Sequence, residues 1–129
     1  VIGTPYHDEN GSNSGQVKVF EYNSQGEQWV HVHERNFNGN GAYDYLGYSV
    51  GISHDGTKIV MGSYFNDDIA DNSGQVQVFK DNGAAWVQVG EDINGEAPDD
   101  RFGWSTGITG DGSRIVASSY GSNSGFTGK

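Results

Sequence analysis

Ser14-Gly15-Gln16-Val17-Lys18-Val19-Phe20 returns 59 residues later as Ser73-Gly74-Gln75-Val76-Gln77-Val78-Phe79. The rest of the chain repeats around that segment. Trp29-Val30-His31-Val32 comes back as Trp86-Val87-Gln88-Val89, Leu46-Gly47-Tyr48-Ser49 as Phe102-Gly103-Trp104-Ser105, and Asp55-Gly56-Thr57-Lys58-Ile59-Val60 as Asp111-Gly112-Ser113-Arg114-Ile115-Val116. The offset shrinks to 56 in the later segments, which places the length change in loops. Asn13-Ser14-Gly15 and Asn72-Ser73-Gly74 reappear as Asn123-Ser124-Gly125, the opening of a third copy. Self-similarity at such a period is the signature of a repeat architecture.

Within one period, apolar and polar residues alternate with period two, and turn residues punctuate the pattern four times. The spacing predicts strand a over 47–53, strand b over 57–64, strand c over 74–80 and strand d over 85–91. His54-Asp55-Gly56 closes the first hairpin and Asp81-Asn82-Gly83 the last. Asp-Gly and Asn-Gly accept the positive φ that matches the twist of a hairpin. No segment has the i, i+3, i+4 spacing of an amphipathic helix. The expected fold is all-β: a β-propeller of four-stranded antiparallel blades. Residues 1–46 supply strands b, c and d of one blade, 47–100 a complete blade, and 101–129 strands a, b and the start of c of a third. All three belong to one propeller domain. A lone blade leaves two sheet faces uncovered, so the expected partners are further blades, from the same chain or from other copies. The chain opens inside an apolar strand, Val1-Ile2-Gly3, and stops after a turn at Gly128-Lys129, so a segment of a longer protein is expected.

Composition agrees with thin sheets and many turns. Of 129 residues, 33% are hydrophobic, 21 are Gly and two are Pro, with three Trp, seven Tyr and six Phe. Without cysteine there is neither a disulfide framework nor a thiolate metal site. Seventeen acids against seven bases give a net charge of −10, which disfavours a nucleic-acid partner. No apolar run reaches the ~20 residues of a membrane-spanning helix.

Several segments carry possible chemistry. The b–c loops hold Asp8 and Glu9 in one copy and Asp67, Asp68 and Asp71 in the next, oxygen donors that suit Ca2+. Their competing reading is a set of soluble acidic turns, and the third copy shortens the loop to Gly121-Ser122. His31 and His33 alternate on strand d, on the face of Trp29, where two imidazoles could ligate zinc or copper. The next copy has Gln88 and Gly90 there, which favours a solvated face. Trp29, Trp86 and Trp104 could stack on sugars, although rings at a repeated position more often fill the wedge between blades. Asp99-Asp100-Arg101 reads as a self-neutralising loop cluster. Asn10-Gly11-Ser12 is an N-glycosylation triplet. No nucleophile, phosphate-loop or zinc-protease motif is present, so no catalytic residue is assigned.

The hairpin and its flanks resemble the FG-GAP repeat of integrin-α-type propellers. An aromatic-Gly pair opens strand a in that family, here Phe102-Gly103 with Leu46-Gly47 as a weaker copy. A Gly-Ala-Pro-like tripeptide ends strand b, here Gly3-Thr4-Pro5, then Gly62-Ser63-Tyr64 and Ser118-Ser119-Tyr120. Ser53-His54-Asp55-Gly56-Thr57-Lys58-Ile59 is also similar to the hairpin of WD-type blades, whose Trp-Asp ending is replaced by Phe20-Glu21 and Phe79-Lys80. The regular repeats, the acidic surface without cysteine and the lack of a catalytic constellation lead to the expectation of a non-enzymatic extracellular or cell-surface module, structural or adhesive, whose partner is an extracellular protein or glycan. A carbohydrate-binding propeller is the alternative, and an enzyme with an axial site the third. Calcium-binding members carry an Asp-x-Asp-x-Asp-Gly loop between strands a and b. Only Asp55-Gly56 and Asp111-Gly112 stand there in this chain, too few oxygens for that ion.

Overall fold

The computed structural model describes residues 1–121, so the third Asn-Ser-Gly at 123–125 lies outside the described residues. The middle repeat forms one antiparallel sheet: β6 (Ser49–Ile52), β7 (Lys58–Ser63), β8 (Gln75–Asp81), then β9 (Trp86–Gln88) and β10 (Ile93–Asn94), both paired with β8. These are strands a, b, c and a divided strand d. The first repeat contributes β1 (Ile2–Thr4), β2 (Gln16–Lys18) and β5 (Phe37–Asn38) in one sheet, with β3 (Phe20–Asn23) and β4 (Gln28–His31) as a hairpin beyond it. The third contributes the hairpin β11 (Ser105–Ile108) and β12 (Ile115–Ser118). We call these sheets blades 1, 2 and 3. The described strands do not close a ring.

The a–b turns form because one carboxylate satisfies the turn's donors. Asp55 Oδ1 accepts from Ser53 Oγ at 2.7 Å and from Thr57 N at 2.9 Å, while Gly56 takes φ +74°. Asp111 repeats this with Thr109 Oγ1 at 2.6 Å and Ser113 N at 3.0 Å. β7 is a run of Ile59, Val60 and Met61 with no measurable exposure, because a central strand has another blade on each face.

Strand d differs from the single strand 85–91 that alternation predicts. β9 pairs with β8 in one register (Trp86 opposite Asp81) and β10 in another (Ile93 opposite Val76). A bulge at 89–92 absorbs the difference, with Gly90 at φ +73°. In blade 1 the same break contains the 3-10 turn Val32–Glu34. His33 sits in that turn at φ +54°, so it does not share a strand face with His31. His31 Nε2 lies 2.9 Å from Arg35 O, and His33 Nε2 lies 2.8 Å from Asp81 Oδ1 of blade 2. The expected imidazole pair is thereby separated, because the turn reverses the alternation.

Blades stack face to face. Each has a leading face, toward the lower-numbered neighbour, and a trailing face. Val17, Val19 and Phe37 on the trailing side of blade 1 form one buried cluster with Ile59, Met61, Phe79 and Trp86 on the leading side of blade 2. The Phe37 ring meets Phe79 at 4.8 Å and Trp86 at 6.0 Å, both edge to face. Backbone seams join the blades as well. Gly15 bridges Leu46, Gly74 bridges Phe102, and Leu46 N and Phe102 N donate to Ser14 O and Ser73 O. Glycine is required at the seam, since a Cβ on Gly15 would lie 2.3 Å from Leu46 N and O. The Asn-Ser-Gly triplet therefore marks a strand start that also sutures the next blade.

Candidate interaction surface

Strand b ends and strand a begins at the same edge of each sheet, and four repeat positions there carry rings. They are Tyr64/Tyr120 and Tyr6/Phe65 after strand b, and Tyr45/Arg101 and Tyr48/Trp104 around the aromatic-Gly step. Across three blades these side chains form one continuous belt. Tyr6 meets Tyr45 edge-on at 5.7 Å, Tyr45 stacks on Tyr64 at 5.6 Å, and Tyr64 touches Tyr48 at 4.5 Å. Trp104 contacts Tyr48 at 4.9 Å and stacks on Tyr120 at 4.7 Å. Where blade 2 has Tyr45, blade 3 has Arg101, its guanidinium 5.3 Å from the Phe65 centroid and 5.9 Å from that of Tyr120. A guanidinium over a ring face gains from the ring's negative quadrupole.

The belt is amphipathic. Tyr6, Tyr48 and Tyr120 keep 68%, 39% and 52% of their surface in water. Tyr64, in the middle, has its phenol pushed above the ordinary range by burial, then by the neighbouring Tyr48 and Tyr45 hydroxyls, and so stays neutral.

Asp44 supports this edge from within. Only 4% of it is exposed, and its Oδ2 accepts from Gly41 N at 2.8 Å and Asn66 Nδ2 at 3.2 Å. Burial raises its pKa above the usual carboxylate value despite both hydrogen bonds. Asn66, 1% exposed, ties the b–c loop of blade 2 to the connection entering that blade. Asp100 repeats the role of Asp44, accepting from Glu96 N and Ala97 N.

The acidic b–c loops are organised as turns. Asp8 Oδ1 accepts from Asn13 N at 2.7 Å, and Asp67 Oδ1 from Asn72 N at 2.6 Å. Asp68 Oδ2 accepts from Gln75 Nε2 and Asn40 Nδ2. Glu9 N donates to His7 Nδ1, and Asp71 O accepts from Asp99 N. Among the described residues, no three His, Asp or Glu side chains converge where they could hold a metal ion. Asp99, Asp100 and Arg101 diverge, Asp99 Oδ1 accepting from Asn72 Nδ2 while Arg101 turns to the rings.

The three tryptophans have three different environments. Trp86 is 4% exposed in the blade 1–blade 2 core, so as folded it offers no ring face to a sugar. Trp29, at the same repeat position, is 69% exposed, and Trp104 lies in the belt. Asn10 Nδ2, the atom a glycan would modify, donates to Gly39 O at 3.0 Å.

Sequence reasoning overlooked the belt apart from Trp104. The signal was there but interrupted: Pro5, Arg101 and Gly121 break the aromatic pattern of the four positions, and each position lies in a different loop or strand end. Residues 38–79 match the family model of the FG-GAP repeat, a span running from β5 through the a–b hairpin into β8. Residues 38–79 are thus similar to an FG-GAP repeat, and the described residues form an all-β fold of antiparallel sheets. A comparison with curated proteins gave no match.

Proposed function

We propose that the chain is a non-enzymatic extracellular interaction module of β-propeller type, which contacts a protein partner through the aromatic belt. The belt itself carries this reading. It is a contiguous row of half-exposed Tyr and Trp on a rigid sheet edge, and such rings are enriched at interface centres because they bury much area with few rotamers. The FG-GAP match supports an interaction or adhesion role, a family context that is generally non-enzymatic and extracellular. No helix among the described residues is long and apolar enough to cross a membrane.

The test immobilises the intact protein and probes it in parallel with extracellular-matrix proteins and with a glycan array. The reading expects a matrix-protein signal that Tyr48→Ala and Tyr120→Ala reduce at least about tenfold at unchanged melting temperature. Binding confined to glycans transfers the surface to the carbohydrate-binding alternative. A protein signal indifferent to both substitutions removes the belt from the account.

A further inference from the structure

The sequence holds five Asn-Gly pairs, beginning at Asn10, Asn38, Asn40, Asn82 and Asn94. In such a pair the glycine nitrogen can attack the asparagine side-chain carbonyl, because no Cβ on the second residue shields it. The pairs differ in what the glycine N–H faces. Gly11 N, Gly39 N and Gly95 N donate to the backbone carbonyls of Asp8, Gly15 and Gly74. Gly41 N and Gly83 N donate instead to carboxylates, Asp44 Oδ2 at 2.8 Å and Asp81 Oδ1 at 2.7 Å. These last two differ at the asparagine. Asn40 is held through its Nδ2, which donates to Asp68 Oδ2 at 3.2 Å. Asn82 is held through its carbonyl, Oδ1 accepting from Ala84 N and Ala85 N, each at 2.9 Å. Among the described residues, Asn82-Gly83 is the pair that joins a base on the nucleophile to paired donors on the electrophile. Both residues are exposed, so water reaches them.

We propose that the c–d turn of blade 2 is a self-modification site, in which Asp81 serves as general base for deamidation of Asn82 by the chain's own backbone. Gly83 N forms a bond to Asn82 Cγ while its proton passes to Asp81 Oδ1. Negative charge gathers on Asn82 Oδ1, where the Ala84 and Ala85 N–H groups already point. Collapse breaks the Cγ–Nδ2 bond, and the departing nitrogen takes the proton from Asp81 and leaves as ammonia. Water then opens the resulting succinimide at either carbonyl, giving aspartate or isoaspartate. The sum is amide plus water to acid plus ammonia. Hydrogen bonds from His33 and then from Gly83 N hold the Asp81 carboxyl below the ordinary carboxylate range, so it is ionised at neutral pH. Such a carboxylate is a weak base, and its contribution comes from position: it faces the N–H whose proton must leave. The isoaspartate route inserts an extra backbone carbon into the turn that returns β9 to β8, where Asn82 N donates to Ala85 O and Asp81 pairs with Trp86. Both routes add a negative charge beside Asp81. The turn lies at the end of β8 remote from the belt, so this site and the proposed function stand or fall separately.

The full chain is incubated at neutral pH in heavy-oxygen water, folded and, in parallel, unfolded in guanidinium chloride. Peptide mapping by mass spectrometry follows entry of the label at each Asn-Gly pair. In the unfolded chain the pairs share one local chemistry and are expected to react at similar rates. In the folded chain Asn82 is expected to convert at least about tenfold faster than Asn10, Asn38 and Asn94, and faster than in denaturant. Asp81→Ser keeps an oxygen that can accept from Gly83 N but removes the base. It should slow conversion of Asn82 at least about tenfold and leave the other pairs unchanged. Circular dichroism checks that the variant folds, and Asp81→Asn replaces it if it does not. Folded Asn82 that converts no faster than in denaturant, or only at the pace of Asn10, overturns the proposal, as does an unchanged rate in a folded Asp81 variant.

Discussion

Trp29→Ala and Trp86→Ala alter the same repeat position, one without a covering blade and one with it. Trp86 is 4% exposed, and a buried tryptophan removes about 150–250 Å² from water. At about 25 cal/mol per Å² its transfer contributes roughly 4–6 kcal/mol, an upper bound because the unfolded chain is itself partly compact. Trp86 Nε1 is buried with no hydrogen-bond partner, a desolvation cost of about 1–3 kcal/mol that the substitution relieves. The net loss for Trp86→Ala is therefore about 3 kcal/mol, at the lower end of large-to-small core changes. Trp29 keeps 69% of its surface in water and has one ring contact, with Tyr22 at 5.5 Å, so its removal costs about 1 kcal/mol or less. Urea denaturation of both variants at a concentration where the protein is monomeric, fitted with a common m-value, measures the difference. In thermal melts the shifts are roughly 10 °C against 3 °C or less for a domain of this size. Equal losses at the two sites would refute the claim that burial in this chain comes from stacking of successive blades.

Three further outcomes follow from the geometry. Gly62→Ala places a Cβ 2.3 Å from Gly103 O, a backbone atom of the next blade, and is expected to cost about 3 kcal/mol; Gly26→Ala, whose nearest neighbours are side chains at 3.5 Å or beyond, should stay within about 0.5 kcal/mol in the same denaturation assay. Asp55 and Asp111 have pKa values lowered to about 2, first by the Ser53 and Thr109 hydroxyls and then by turn N–H donors. Their folded values lie below the unfolded value of about 3.9, so their contribution is fully present above pH 4 and is lost as pH falls toward 2; melting temperature followed over that window should decline less steeply in the Asp55→Asn/Asp111→Asn double variant. Because Asp8 and Asp67 cap backbone donors, a chelator should leave the melting temperature within about 1 °C of its value in added calcium, and a drop of several degrees would identify the b–c loops as structural cation sites.

The parts of the fold that depend on local chemistry were legible in the sequence. Asp55-Gly56 and Asp111-Gly112 state their turn directly, because one carboxylate and one positive φ build it. Val17-Lys18-Val19 and Val76-Gln77-Val78 state a strand with two faces. What depends on a neighbouring blade was harder to read. Ser14, Ser73, Gln16, Gln75 and Asn66 are polar yet 2% exposed or less, since their partners are seams and loops far along the chain. Gln16 Nε2 donates to Asn38 Oδ1 and Gln75 Nε2 to Asn94 Oδ1, a repeated amide pair that hydropathy cannot reveal. The divided strand d was missed because alternation stops at Gly90 and resumes in shifted register at Ile93. Identical tryptophans at positions 29 and 86 gave no hint that one is core and the other surface, because only stacking distinguishes them.

The central claim is that blade 1 packs on blade 2 through Phe37, Phe79 and Trp86. Two-dimensional NOE spectroscopy on the labelled protein tests it most directly. The account predicts cross-peaks from the Phe37 ring protons to the rings of both Phe79 and Trp86, at the 4.8 and 6.0 Å centroid separations of the structure. A folded, dispersed spectrum in which Phe37 contacts neither ring would contradict it.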